Sequence, residues 1–232
     1  FRVSQEFSPE LWNPVTGEIR YLPDFKSKEG NISLPVELEG NESAFIVFRK
    51  NNKLTETKDN FPQKVTVCKI NTPWRITFEA GKRGRETPVV WSQLKDWMNS
   101  ENDSIKYFSG QAVYETTFTL EKLPQKNLYI DLGNVMVMAK VTLNGQYVGG
   151  VWTFPYRLNV TGYLKEGENK LEITVVNNWQ NRLIGDQRLP EDQRLTWTTI
   201  NPWKADSSLQ SSGLLGPVEL SLIHISEPTR LR

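Results

Sequence analysis

Between Leu128 and Asn178 the chain reads LYIDLGNVMVMAKVTLNGQYVGGVWTFPYRLNVTGYLKEGENKLEITVVNN, and its apolar residues recur at every second position in short runs. Leu128, Ile130 and Leu132 share one face of the first run. Ala139, Val141 and Leu143 share one face of another, with Lys140, Thr142 and Asn144 opposite. Leu171, Ile173 and Val175 alternate with Lys170, Glu172 and Thr174. A period of two gives each strand one buried and one wet face, the pattern of an antiparallel sandwich. Asn144-Gly145 suits a two-residue hairpin turn with positive φ. Lys165–Asn169 is a polar turn before the last run.

The rest of the chain extends this all-β reading. Candidate strands before residue 60 are Phe1–Ser4, Leu11–Asn13, Glu18–Leu22, Ile32–Glu39 and Ala44–Arg49, with turns at Asn13–Gly17 and Glu39–Glu42. Asn51–Pro62 is polar and reads as a linker. Strands follow at Val65–Ile70, Trp74–Glu79 and Gln111–Leu120. Ser92–Ser100 is the best helix candidate, with Ser92 as cap and Leu94, Trp97 and Met98 on one face. Asn177–Pro202 departs from the pattern: it is long, polar and irregular, and such connections usually carry function or an interface.

Composition excludes several classes. The 28 basic and 27 acidic residues nearly cancel, which argues against a nucleic-acid surface. No apolar run approaches the roughly 20 residues of a membrane helix. One cysteine, Cys68, rules out an internal disulfide and reads as a small strand residue. The only histidine, His224, lies near the C-terminus. Phe1-Arg2-Val3 already reads as strand, with no initiating Met, so the natural protein is expected to begin upstream and the compartment is not readable from this chain.

Several motifs resemble a known family. The order DLG, A-V-LNG, PYR, GEN, LE within Leu128–Asn178 resembles the sugar-binding jelly-roll domain of glycoside hydrolase family 2 and related enzymes. IKYFSGQAVY at Ile105–Tyr114 resembles its first strand; NWQNRLIGD at Asn178–Asp186 and SGLLGPV at Ser212–Val218 resemble its closing half. ELWNPVTGEIRYLPD at Glu10–Asp24 resembles the small β segment before this module in family 106, the α-L-rhamnosidases. The likeness runs to about Glu219. It implies a small β accessory unit over residues 1–60, a galactose-binding-like jelly-roll β-sandwich over 61–220, and a tail at 221–232. Leu220–Arg230, LSLIHISEPTR, resembles a translated sequencing adapter, in which case His224 carries no chemistry. The competing reading is an ordinary last strand, since Val218, Leu220 and Leu222 alternate.

The resemblance places the catalytic acid and base in an upstream barrel domain, so no catalytic residue is assigned here. Glycoside hydrolysis needs two carboxylates across one bond. Asp186, Glu191 and Asp192 are the only loop acids near aromatics, and balanced local charge is more simply an ion-paired loop. Candidate carbohydrate-binding or cleft-lining residues are Trp152, Tyr156, Arg157, Asn178, Trp179, Arg182 and Asp186. Aromatic faces cover sugar rings, and Arg and Asn bond hydroxyl pairs. The competing reading has Trp152 and Tyr156 plugging the sandwich edge and Arg182 contacting the neighbouring catalytic domain. No cofactor is expected, and Asp131 and Asp186 give no calcium-loop spacing. Partners implied are the upstream barrel and a rhamnose-containing glycan, with no nucleic acid or membrane. The family implies a periplasmic or extracellular protein. Three functions stand: a non-catalytic part of an α-L-rhamnosidase-like enzyme, an autonomous carbohydrate-binding module, or a structural or adhesive sandwich.

Overall fold

A computed structural model of the chain describes residues 1–38, 40, 42–50, 59–61, 64–124 and 127–223. They fall into two compact units, one ending at Val65 and one spanning Thr66–Leu222. The expected turn at Glu39–Glu42, the Asn51–Pro62 linker and His224 lie wholly or mainly outside the described residues.

The first unit holds β1 (Phe7–Trp12), β2 (Ile19–Tyr21), β3 (Lys26–Lys28), β4 (Asn31–Ser33) and β5 (Phe45–Lys50). β1 pairs antiparallel with β2 and β5, giving the order β2-β1-β5; β3 and β4 form a separate hairpin. The Asn13–Gly17 turn is built by Asn13, whose Oδ1 accepts from Val15 N at 2.9 Å and Thr16 N at 3.1 Å. The strand expected at Phe1–Ser4 is a single bridge, Arg2 to Asn31. The one expected from Ile32 stops at Ser33, two residues before Pro35, which has no N–H to donate.

The second unit carries β6 (Lys64–Lys69), β7 (Trp74–Phe78), β8 (Val89–Trp91), β9 (Gln111–Leu120), β10 (Leu128–Asp131), β11 (Asn134–Met136), β12 (Met138–Leu143), β13 (Gln146–Val151), β14 (Arg157–Asn159), β15 (Gly167–Val176), β16 (Gly213–Gly216) and β17 (Glu219–Ile223). One sheet runs β13-β12-β15-β9-β7-β8, another β14-β10-β17-β6, and β11 pairs with β16. The alternation in the sequence is the burial pattern of the strands. Ala112, Tyr114, Phe118 and Leu120 of β9, Val141 and Leu143 of β12, and Leu171, Ile173 and Val175 of β15 face one core. Leu128 and Ile130 of β10 and Leu220 of β17 meet them there from the other sheet. This is the all-β sandwich that the periodicity predicts.

Two family motifs have local structural reasons. Asn144 and Gly145 take φ of 52° and 80°, closing the β12–β13 hairpin. Asn144 Nδ2 donates to Asn169 Oδ1 at 2.9 Å and to Tyr163 O at 2.8 Å, while its Oδ1 accepts from Lys170 N. Asn169 is fully buried and also bonds Lys165 N, Lys165 O and Gly167 O. LNG and GEN are thus one hydrogen-bonded knot at the end of the sheet. Gly213 of the SGLLG motif has φ of 99°, and a Cβ there would lie 2.4 Å from Trp97 Nε1 and 2.8 Å from the Tyr114 hydroxyl, so only glycine fits. That hydroxyl accepts from Trp97 Nε1 at 2.7 Å and Leu214 N at 3.2 Å; burial holds its pKa far above the usual tyrosine value.

The helix expected over Ser92–Ser100 is a 3-10 turn at Trp97–Asn99, followed by α1 (Asp103–Lys106). The cap is Asp96, not Ser92: its Oδ1 accepts from Met98 N at 3.0 Å and from Ser212 N at 2.9 Å. The apolar spacing of Leu94, Trp97 and Met98 instead serves tertiary packing, with Trp97 edge-on to Phe78 and Phe108. Leu220–Leu222, the start of the segment resembling an adapter, pair with β10 in the register Ile130–Leu220 and Leu128–Leu222. Cys68 is half-buried in β6, and burial raises its thiol pKa.

Candidate functional site

Trp152, Asn178 and Trp179 follow strands that finish at the same end of β12. Ala139 pairs with Val151 on one side and Val175 on the other, so the ends of β13 and β15 flank the start of β12. Trp152 follows β13, Met138 opens β12, and Asn177–Trp179 follow β15. Neighbouring strands lie about 4.8 Å apart, so β13 and β15 are separated by roughly 10 Å. Trp152 and Trp179 are 60% and 62% exposed, and Met138 and Val137 between them are also open to solvent. Asn178 is exposed, its Nδ2 donating to Gln210 Oε1 at 3.0 Å. Two indole rings, an amide pair and an apolar strip are the ingredients of a sugar-binding edge, where ring faces cover C–H surfaces and amides bond hydroxyls.

Directly after β15 the chain enters a helix that the sequence does not announce. Gln180–Asp186, read from the sequence as irregular connection, is α2, and all seven of its residues are buried. Its N-terminal residue has no side-chain cap of its own; Asn178 Oδ1 accepts from Gln180 N at 3.1 Å instead. Hydrophobic periodicity misses α2 because its buried face includes the polar residues Asn181, Arg182 and Asp186. Asn181 grips Gln210 from both sides: Nδ2 donates to its carbonyl at 2.7 Å and Oδ1 accepts from its N–H at 2.8 Å. Asn177 ties the end of β15 to the turn before β9, accepting from Gly110 N and donating to Phe108 O. Backbone-directed amides thus tie the KYFSG motif to the end of β15 through Asn177, and the NRLIGD motif to Gln210 through Asn181.

Arg182 Nη2 lies 2.8 Å from Asp186 Oδ1 with both side chains buried. Burial lowers the Arg182 pKa, and Asp186 beside it works in the opposite sense. The second carboxylate oxygen of Asp186 accepts from Leu195 N at 3.0 Å, Thr196 N at 2.9 Å and Thr196 Oγ1 at 2.6 Å. These donors commit the carboxylate to the loop, which is a structural task. Glu191 and Asp192 sit exposed in a 3-10 turn.

The other candidates divide by place. Tyr156 is buried, its hydroxyl donating to Val137 O at 3.3 Å and its ring edge-on to Phe154 at 4.7 Å; burial raises its pKa. Arg157 opens β14 in the second sheet and clamps Asp131 of β10, with Nη2 at 2.8 Å and Nε at 3.2 Å from Oδ2. The structure thus places Trp152 and Trp179 in solvent, joins Asn178, Trp179, Arg182 and Asp186 on α2 and its lead-in, and sets Arg157 apart on the facing sheet. Among the described residues no group of three or more His, Cys, Asp or Glu side chains is placed to hold a metal. Sequence reasoning overlooked Asn169, Asn177 and Asn181; their flanking motifs held the only signal.

Known proteins agree with this architecture. Residues 91–209 match the family described as glycosyl hydrolase 2 galactose-binding domain-like. A curated protein of Formosa agariphila named "Putative beta-glucuronidase" is 42% identical over 161 residues, which cover 58% of this chain and 14% of that protein. The solved structure of a rhamnosidase from Novosphingobium sp. PP1Y superposes with a TM-score of 0.82 at 35% identity, covering 95% of this chain and 21% of that one. This chain therefore spans only a small part of each relative. With more than half of its residues matched, the chain belongs to the glycosyl hydrolase 2 galactose-binding-domain-like family.

Proposed function

We propose that this chain is the non-catalytic portion of an α-L-rhamnosidase-like glycoside hydrolase of family 106, exported to the periplasm or beyond. Its task is to support a catalytic barrel and to present the sheet end carrying Trp152 and Trp179 toward the substrate cleft. The observation that carries this reading is the match to the Novosphingobium rhamnosidase over 95% of the chain, first unit and sandwich alike. The one buried carboxylate at the site, Asp186, is committed to Arg182 and to loop amides, which supports a framework role and leaves the acid and base to another domain. The purified chain is expected to show no hydrolysis of p-nitrophenyl α-L-rhamnoside; measurable turnover that survives Asp186→Asn would sink the assignment.

A second reading, an autonomous carbohydrate-binding module, is favoured by the exposure of Trp152 and Trp179. It predicts calorimetric binding of a rhamnose-containing oligosaccharide by the chain alone, lost in Trp152→Ala and Trp179→Ala.

A further inference from the structure

The most exposed large apolar side chains of the second unit are Trp197 and Ile200, at 84% and 82%, and both lie on a loop whose base is fixed. Asp186, buried at the end of α2, holds the backbone N–H groups of Leu195 and Thr196 and the Thr196 hydroxyl. Arg194 Nε donates to Leu189 O at 3.2 Å, closing the segment before it. Thr198 Oγ1 donates to Ile200 O at 2.7 Å, and Trp203 N to Asn201 Oδ1 at 3.0 Å, so the loop is braced beyond the tip as well. An ordered loop that leaves an indole and a branched aliphatic chain in water is preorganised for a partner.

Its chemistry selects the kind of partner. Leu195–Trp203, LTWTTINPW, holds no charged residue, while Arg194 and Lys204 bound it. An uncharged, Trp-bearing centre with a charged rim is the composition of a protein–protein interface core. A sugar would ask for free hydroxyl and amide groups around the ring face. Here the Thr196 and Thr198 hydroxyls and the Asn201 amide oxygen already bond within the loop or to its anchor, and Ile200 offers no flat face. We propose that Trp197 and Ile200 insert into an apolar cleft of a protein domain, namely the catalytic domain assigned to this chain under Proposed function, on which this inference rests.

The experiment compares the 232-residue chain with the complete reading frame that carries it, each as wild type and as Trp197→Ser/Ile200→Ser. Amide hydrogen exchange over residues 197–200 is expected to be fast in the chain alone and strongly slowed in the long polypeptide. The double variant restores fast exchange there and weakens docking about 30-fold, as for loss of one hot-spot side chain of about 2 kcal/mol at 1.4 kcal/mol per tenfold. In the chain alone the same variant leaves the melting temperature unchanged, which separates docking from folding. Equal exchange in both polypeptides, with rhamnoside hydrolysis intact in the long one, overturns the docking inference and spares the proposed function. A reading frame without a hydrolase domain overturns both. A Trp197-dependent fluorescence change on titrating the chain with L-rhamnose identifies sugar as the occupant and also overturns the inference.

Discussion

Among the described residues, two arginine–aspartate pairs share the same 2.8 Å approach in different surroundings. Arg157 and Asp131 sit opposite one another on β14 and β10, in the sequence register that the strand pairing dictates, and their side chains are 22% and 10% exposed. Arg182 and Asp186 stand one turn apart on α2, at 8% and 1%. In the first pair the carboxylate is shared with the local turn, since Asp131 Oδ1 accepts from Gly133 N at 3.0 Å. In the second it anchors a loop ten residues away. The strand pair reinforces a register that packing of Leu128 and Ile130 already sets. The helix pair creates order where no alternating pattern exists. Equal geometry thus carries unequal consequence, because water still reaches one pair and is shut out of the other.

Arg182→Ala is expected to separate the two pairs most strongly. It leaves Asp186 as a buried charge that has lost its ionic partner, and the expected cost is about 3–5 kcal/mol in urea unfolding. Asp186→Ala is expected to act further afield, speeding amide exchange at Leu195 and Thr196, whose acceptor it removes. A loss under about 1 kcal/mol in Arg182→Ala would show that water enters the α2 site and that the two pairs are equivalent.

A neutral control asks whether burial or charge makes the difference. Asn169 is as buried as Asp186, carries no charge, and satisfies four polar partners with one amide. Asn169→Ala strips acceptors and donors from the LNG–GEN knot, and the expected loss is about 2–3 kcal/mol by thermal or urea unfolding. A cost equal to that of Arg182→Ala would attribute the α2 effect to unmet hydrogen bonds alone.

These residues also mark how far the sequence could be read. Strands β9, β12 and β15 were legible because a period of two survives any tertiary context, and Asn144-Gly145 was legible because few dipeptides take two positive φ values. The sandwich followed. α2 was hidden because its buried positions are filled by Gln180, Asn181, Arg182 and Asp186, residues that a hydropathy pattern assigns to solvent. The partners that Asn181 and Asp186 find in Gln210 and Leu195–Thr196 lie 9 to 29 positions away, outside any local window. Trp152 and Trp179 were found by residue type, and their exposure is what keeps them candidates. Tyr156 was found the same way and proves to be buried and bonded to Val137.

A polar orphan gives a change of opposite sign. Ser221 of β17 is fully buried, and its hydroxyl has no hydrogen-bond partner among the described residues. Ser221→Ala is therefore expected to raise stability, by about 1 kcal/mol, since it removes an unmet group without leaving one behind. Unchanged or lower stability would mean that the hydroxyl is satisfied in solution.

The smallest effect belongs to the strand pair, and it is the one that tests the comparison most directly. Arg157→Gln keeps a donor near Asp131 and removes the charge. With Asp131 also accepting from Gly133 N and solvent reaching Arg157, the expected cost is about 1 kcal/mol or less at low salt. Salt then discriminates the two sites. The Debye length shrinks from about 30 Å at 0.01 M to about 3 Å at 1 M, so the Arg157 contribution should fade across that range while the Arg182 contribution persists. Urea unfolding of both variants at the two ionic strengths measures this. If the Arg157→Gln penalty holds at high salt, the pair is shielded from solvent like its counterpart on α2, and the contrast between strand clamp and helix anchor collapses to a difference of sequence spacing.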